Sequence, residues 1–302
     1  MSTSIFQGNF QIVWNSTSLD ALKTCPRKYQ YSILQSYSTG AENIHIHFGL
    51  TYHKAIELYH FARAEGQDFD AAQLVAVRYA MREARSELLE ASGHEKATSK
   101  SKPNLIRSII WYLEEFKEDS IQTLILSSGK PAVEITFAVE TEIQSATGVP
   151  ILLAGHIDRI GRFGPDLYYT DLKTTGSQLG ERYFQNFAPN NQMSCYHFAG
   201  KIHSNLPLKG GIIDAVQVMI GGSRFQRGMI PRTPDTMEEW HDDLSFWLAQ
   251  ADLFAKRSYW PMNDTSCRMC DFKTICAMDP KVRASYLKSF PKRIVNPLEI
   301  RT

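Results

Sequence analysis

No stretch of this sequence approaches the roughly 20 apolar residues needed to cross a bilayer as a helix. The longest apolar stretch, Gly211 to Gly222, is broken by Asp214 and Gln217. The opening residues, MSTSIFQGNFQIVW, lack the charged start and long apolar run of a secretory signal. Charge of either sign is not in surplus: 33 basic and 32 acidic residues leave a formal charge of +1. No global basic field therefore advertises a polyanionic partner, although an acidic site set in a basic groove would give the same balance. There is no G-x-x-x-x-G-K-[ST] phosphate loop, so the chain carries no nucleotide-driven motor of its own. Internal repeats and long low-complexity segments are also missing. These absences lead to the expectation of a soluble, intracellular protein with no membrane segment.

Cysteine is scarce, at five residues in 302, and pairing as disulfides is not expected inside a cell. The 43% hydrophobic content suffices for a substantial core without such crosslinks. Placement matters more than number. Cys25 stands alone, Cys195 lies mid-chain, and Cys267, Cys270 and Cys276 cluster.

Periodicity predicts a helical block followed by an α/β core. Ser16-Thr17-Ser18 reads as a capped helix start leading to Cys25-Pro26. Helices are expected over about 48–65, 69–92 and 104–126, with the polar segment HEKATSKSKP forming an exposed loop able to touch a phosphate backbone. Val133, Ile135, Phe137 and Val139 alternate with polar or small neighbours, as in a strand with one buried face. Strands follow at 151–160 and 166–173, joined by the turn-rich Gly161-Arg162-Phe163-Gly164-Pro165. A helix over 190–203, strands near 211–220 and 224–231, and a long helix over 234–257 complete the reading. The expectation is one domain over 1–302, with a helical insertion at 48–127 before the core.

One constellation carries chemistry. Asp171 and Lys173 lie two apart on a predicted strand, so both side chains leave the same face. Asp158 ends the preceding strand, from which its carboxylate can reach the same point. Phosphodiester hydrolysis needs an activated water and neutralisation of developing charge, and Mg²⁺ or Mn²⁺ held by carboxylates supplies both. Asp158 and Asp171 would ligate the ion, with the Leu172 carbonyl as a further ligand. The Lys173 ammonium would orient the water or offset charge in the transition state. His53 with Glu57, and Gln192 with Tyr196, are i, i+4 pairs that each share one helix face. Glu134 is either a further acidic group at the site or a solvated strand residue, and Cys195 is expected to be a buried apolar filler.

These residues resemble the PD-(D/E)xK nuclease superfamily, and within it the RecB-type exonucleases. Gly155-His156-Ile157-Asp158-Arg159-Ile160 matches a G-x-x-D-R-I strand, and Asp171-Leu172-Lys173-Thr174-Thr175 matches the (D/E)-x-K motif. Phe48-Gly49 with His53 looks like the upstream histidine helix, whose histidine joins the metal site. Gln192 to Tyr196 looks like the downstream Q-x-x-x-Y helix, which binds or positions substrate. The resemblance covers about residues 17–280. It implies a restriction-endonuclease-like fold, in which a central mixed sheet is flanked by helices. It implies a Mg²⁺- or Mn²⁺-dependent deoxyribonuclease, acting as an exonuclease on single-stranded or free-ended DNA in recombination or repair. A helicase or recombination partner and a cytoplasmic or nucleoid-associated location go with that reading. The alternative is a non-catalytic DNA-end-binding subunit.

Cys267-x₂-Cys270-x₅-Cys276, with Cys25 about 240 positions upstream, is a compact ligand set. By spacing alone, tetrahedral zinc and an iron–sulfur cluster are equally permitted. The resemblance to AddB-type nuclease domains and CRISPR-associated RecB-like exonucleases implies a [4Fe–4S] cluster on Cys25, Cys267, Cys270 and Cys276. It would be a structural staple joining Cys25 to the 264–280 segment. Arg27, Lys28, Tyr29, Tyr31, Tyr183 and Phe184 are candidates to stack bases and neutralise phosphates in a single-strand channel.

Overall fold

A computed structural model describes residues 5–40, 43–85, 99–294 and 296–298. The predicted helical stretch 86–92 and residues 94–98 of the polar segment lie outside the described residues. The chain divides into two compact units. One comprises Met1–Ala41, Thr136–Gly155 and Pro234–Thr302, and the other Glu42–Ile135 and His156–Thr233.

In the first unit, β1 (Phe6–Gln7) and β2 (Phe10–Gln11) pair antiparallel, and β3 (Val13–Trp14) runs parallel to the first half of the long strand β6 (Pro150–Phe163). Helix α1 (Ser16–Thr24) is capped by Asn15, whose side chain accepts from the Ser18 amide, so the cap falls one residue before the predicted serine run. A four-residue helix α2 (Pro26–Tyr29) and a π-helical turn (Gln30–Leu34) follow. Trp14 stacks on Tyr29 at 5.3 Å and 6°, and Tyr29 meets Trp260 at 5.1 Å. The tyrosine hydroxyl donates to Gln11 Oε1, so this aromatic core leaves no buried phenol unpaired.

In the second unit, α3 (Ile44–Ala64) begins at an Asn43 cap, four residues before the expected start. It buries Phe48, Tyr52, Ala55, Ile56, Tyr59 and Ala62, a stripe at helical spacing. That stripe packs with α4 (Phe69–Glu83), α5 (Lys102–Glu115) and the sheet residues Leu172, Val216 and Val218. The helix predicted over 104–126 stops at Glu115. Residues Ile121–Thr123 instead form β4, antiparallel to β6. The reason is local. The Asp119 carboxylate accepts from the Ile121 amide, and the β-branched Ile121 passes directly over Gly161, where an added Cβ would lie 2.5 Å from its Cγ2. Lys100 is a further departure from expectation. It is buried, with its ammonium 4.2 Å from the Phe48 ring centroid, and burial lowers its pKa to about 8.

The sheet is mixed and seven-stranded, ordered β3-β6-β7-β8-β9 with β4 and β5 (Val133–Gln144) also paired to β6. β6 and β7 (Asp166–Thr175) form a hairpin that stays paired to Phe163↔Asp166, so the turn is only Gly164-Pro165. β8 (Leu208–Val218) runs parallel to β7 and antiparallel to β9 (Ser223–Pro231). Between them it is buried along nearly its whole length, as its apolar run requires. The connection from β7 to β8 carries α6 (Glu181–Gln185) and α7 (Asn191–Ser204). The first unit closes with α8 (Pro234–Lys256), a 3₁₀ turn (Asp264–Met269), α9 (Lys273–Ala277) and α10 (Pro280–Leu287). The architecture is the mixed α/β sheet flanked by helices that the sequence led us to expect.

Candidate active site

Strand separation builds the site. The β6–β7 register runs inward from the hairpin as far as Arg159↔Thr170. Beyond that pair, the Leu172 amide donates to Asp158 Oδ2 at 3.0 Å. A side chain from β6 thus replaces a main-chain partner, which leaves the Asp158 carboxylate at the mouth of the split. From α3, His53 Nδ1 approaches the same Oδ2 at 3.2 Å. On β7, Asp171 and Lys173 project to one face, with Nζ 2.6 Å from Asp171 Oδ2. Lys173 also donates to Gln192 Oε1 at 3.0 Å, and Gln192 Nε2 donates to the Tyr196 hydroxyl at 2.8 Å. The Tyr169 hydroxyl donates to the Met193 carbonyl, tying α7 to β7. The structure therefore brings His53, Asp158, Asp171, Lys173, Gln192 and Tyr196 together within one unit. Leu172 contributes its amide to Asp158.

The electrostatics are unfinished. Asp171 is 1% exposed, and its Oδ1 has no hydrogen-bond partner among the described residues. Burial, and then the neighbouring Asp158 charge, push the Asp171 pKa up even though Lys173 opposes them. Burial acts the same way on Asp158, but His53, Lys173 and the Leu172 amide hold its carboxyl below the usual range. For Lys173, burial is outweighed by the two carboxylates, and its pKa rises. Buried Asp171 and half-buried Asp158 face one ammonium and a histidine, and the oxygen that Asp171 leaves without a hydrogen-bond partner is what a divalent cation would take up. The orphaned Asp171 Oδ1 and the Asp158 carboxylate are oxygen donors of the type Mg²⁺ and Mn²⁺ take, so these residues fit such an ion.

Of the two readings left open for Glu134, the structure places it beside the site, not on a solvated face. His156 Nδ1 lies 3.7 Å from Glu134 Oε1. Glu134 has φ of +47°, a left-handed conformation unusual for a non-glycine residue. With His53, Glu57 and Asp158 it lines a cavity of about 40 Å³. Strained backbone beside a cavity lined by titratable groups is a recurrent property of functional sites. Periodicity gave no sign of it. Cys195 is buried, and its thiol pKa is pushed up to about 12, as an apolar filler requires. The stacking set does not survive as a group. Tyr29, Tyr31 and Phe184 are buried, and Arg27 donates from Nε to the Trp260 carbonyl. Tyr183 keeps partial exposure.

In the first unit, Cys25, Cys267, Cys270 and Cys276 line one cavity. The Asn263 amide donates to Cys25 Sγ. An apolar sleeve of Tyr31, Phe272, Ile275 and Leu287 packs against Cys270 and Cys276. Among the described residues, no three His, Cys, Asp or Glu side chains are drawn close enough to ligate a single ion.

A family model described as the PD-(D/E)XK nuclease superfamily matches residues 13–277. The chain belongs to that superfamily, whose members are nucleases that use divalent ions such as Mg²⁺ or Mn²⁺ and act on DNA. No curated protein matches the sequence. Among solved structures, the chain is similar to SSO0001, at 14% identity and TM-score 0.36, with 91% of this chain and 89% of that one covered. It is also similar to a protein of Eubacterium rectale provisionally named an exonuclease, at 10% identity and TM-score 0.49, covering 92% and 94%. Among the described residues no helix is long and apolar enough to cross a membrane.

Proposed function

We propose that the chain is a Mg²⁺- or Mn²⁺-dependent exonuclease of RecB/AddB type that acts on single-stranded or free-ended DNA in recombination or repair. The observation that carries it is the buried, partnerless Asp171 Oδ1 beside Asp158 and Lys173. A divalent ion bound here would supply Lewis acidity at the phosphate and activate a water. Asp158, Asp171 and the Leu172 carbonyl would hold it, with His53 joining once its Nδ1 turns from Asp158 Oδ2. Lys173, fixed between Asp171 and Gln192, keeps a proton at Nζ and presents positive charge to the phosphoryl oxygens. Gln192 and Tyr196 fix the rotamer of that lysine and line the path of the strand.

The four cysteines are assigned to a [4Fe–4S] cluster that joins Cys25 to the Asp264–Ala277 region within the first unit. Their convergence on one cavity supports this. We read residues 1–302 as one nuclease domain, since the family match runs through both units.

The test is degradation of end-labelled single-stranded DNA and of a closed circle in Mg²⁺ or Mn²⁺. The expected result is loss of the end-labelled strand, sparing of the circle, and inactivity of Asp171→Ala and Lys173→Ala. Equal activity in all three proteins would remove the site. Binding without cleavage by the wild type would make the protein an end-binding subunit. Anaerobic protein should absorb near 400 nm and contain iron, and stoichiometric zinc without iron would overturn the cluster.

A further inference from the structure

Helix α5 has two faces, and the core accounts for only the inner one. On that inner face Leu105, Ile109, Tyr112 and Leu113 are buried. Two tyrosines fix its register. The hydroxyl of Tyr52, one position before His53, donates to the Ser108 carbonyl at 3.0 Å, and the Tyr112 hydroxyl donates to Asp214 Oδ2 at 2.7 Å. The helix is thereby bonded to α3 and β8, inside the unit that carries Asp158 and Asp171.

The outer face consists of two rows at helical spacing, Lys102-Ile106-Ile110 and Pro103-Arg107-Trp111. These side chains line an open groove of about 490 Å³. Trp111 is 41% exposed, although an indole is among the largest apolar groups a fold can bury. The Arg107 guanidinium lies 5.0 Å from the centroid of that ring, which takes one of its faces and leaves the other to the groove. Arg107 is itself fixed. Its Nη2 donates to Asn104 Oδ1 at 2.7 Å and to the Ile220 carbonyl, between β8 and β9, at 2.8 Å.

Charge decides what such a groove takes. Residues 99–113 contain three basic and no acidic side chains, in a chain whose formal charge is only +1. Lys100 is withdrawn onto the Phe48 ring, so Lys102 and Arg107 form the rim. Lys102 and Pro103 also end the basic segment whose sequence suggested contact with a phosphate backbone. An apolar floor, a seated indole and a basic rim complement a planar aromatic group that carries an anion. They match a nucleotide within a strand, since base–aromatic stacking beside neutralised phosphates is how single strands are held without sequence readout.

We infer that the outer face of α5 is an accessory binding surface for single-stranded DNA, with one base stacked on Trp111 and the flanking phosphates met by Lys102 and Arg107. The choice of DNA rests on the nuclease reading above. Because α5 is bonded to the His53 helix, a base seated there holds the strand in fixed relation to the metal site.

The experiment measures, by fluorescence anisotropy in Ca²⁺, binding of labelled oligothymidine and of an abasic oligonucleotide of equal length. It compares wild type, Trp111→Ala, Trp111→Phe and Asp171→Ala, with cleavage in Mg²⁺ read separately. Trp111→Ala removes an exposed ring and leaves Arg107 its two hydrogen bonds, so its thermal midpoint should stay near that of wild type. It should weaken oligothymidine binding about tenfold and leave abasic binding unchanged, the mark of one lost stack. Trp111→Phe should keep most of the affinity. Equal losses on both oligonucleotides, or none on either, would overturn the surface, and loss of cleavage in Asp171→Ala alone would still leave the nuclease reading standing. Unchanged DNA binding with a wild-type dimer that becomes a monomer in Trp111→Ala would also overturn it and make the groove a contact between copies. A wild type that binds with this base dependence and never cleaves would retain the surface and remove the nuclease reading.

Discussion

The second unit holds two clusters of buried charge, and they are finished to different degrees. Around Asp119, Arg227 donates from Nη1 at 2.6 Å and Nη2 at 3.2 Å, and Arg159 from Nη1 at 3.1 Å. Arg227 Nε and the Tyr112 hydroxyl both donate to Asp214 Oδ2, and the Arg227 guanidinium lies 3.8 Å from the Phe116 ring centroid. Two carboxylates meet two guanidiniums, and only Asp214 Oδ1 lacks a partner among the described residues. At Asp158 and Asp171, two carboxylates meet one ammonium and a histidine, and the deficit is left in the fold. Removing solvent from unbalanced charge is costly. A protein keeps such a deficit where a ligand completes it, and the balanced cluster shows that this chain can complete one internally.

The largest effect should separate the clusters in opposite directions. Asp171→Ala should lower nuclease turnover on the order of 10³-fold or more, the scale of removing charge stabilisation at a phosphoryl centre. Its thermal midpoint should stay the same or rise, because a buried carboxylate without full compensation is gone. Asp119→Ala should do the reverse. It strands Arg227 and Arg159, and should cost about 3 kcal/mol, read as a lower urea midpoint at unchanged slope. Activity per folded molecule should persist. If Asp119→Ala abolished turnover without loss of stability, the two clusters would be one functional network and the distinction would fail.

What the sequence made legible was short-range. Asp171 and Lys173 share a strand face because the side-chain period is two, and Gln192 and Tyr196 share a helix face at i, i+4. The first spacing survives as an ion pair and the second as a hydrogen bond. The sheet and its flanking helices followed from the same periodicities. The balanced cluster was illegible, because Asp119 and Arg227 are 108 positions apart and nothing local marks them as partners. The same Asp119 helps end the helix that periodicity extended to 126, since its carboxylate takes the Ile121 amide into a strand. Tyr183 and Phe184 looked alike in sequence. Only the Gly228 slot on another strand makes Phe184 a buried anchor, while Tyr183 stays half-exposed.

The smallest effect concerns pH, and it probes whether the balanced cluster tolerates added charge. His60 Nδ1 lies 3.5 Å from Arg159 Nη1. Burial, and then that guanidinium, hold its pKa well below the usual imidazole value. The unfolded chain therefore binds a proton near pH 6.5 that the folded chain refuses, and stability is lost as pH falls through that value. His197, lowered to about 4 by burial, acts in the same direction. His53 acts oppositely, because its pKa is raised against burial by Asp158. Its contribution is present below about 6.5 and lost as pH rises. Asp119, lowered by its arginines against burial, withdraws stability only as pH falls below about 4. Urea unfolding of metal-free protein between pH 8 and 5 should show a shallower acid loss in His60→Gln than in wild type, since one of the two refusing histidines is gone. An identical slope in the two proteins would mean that His60 takes up its proton without disturbing Arg159. The cluster would then be balanced less tightly than its distances indicate.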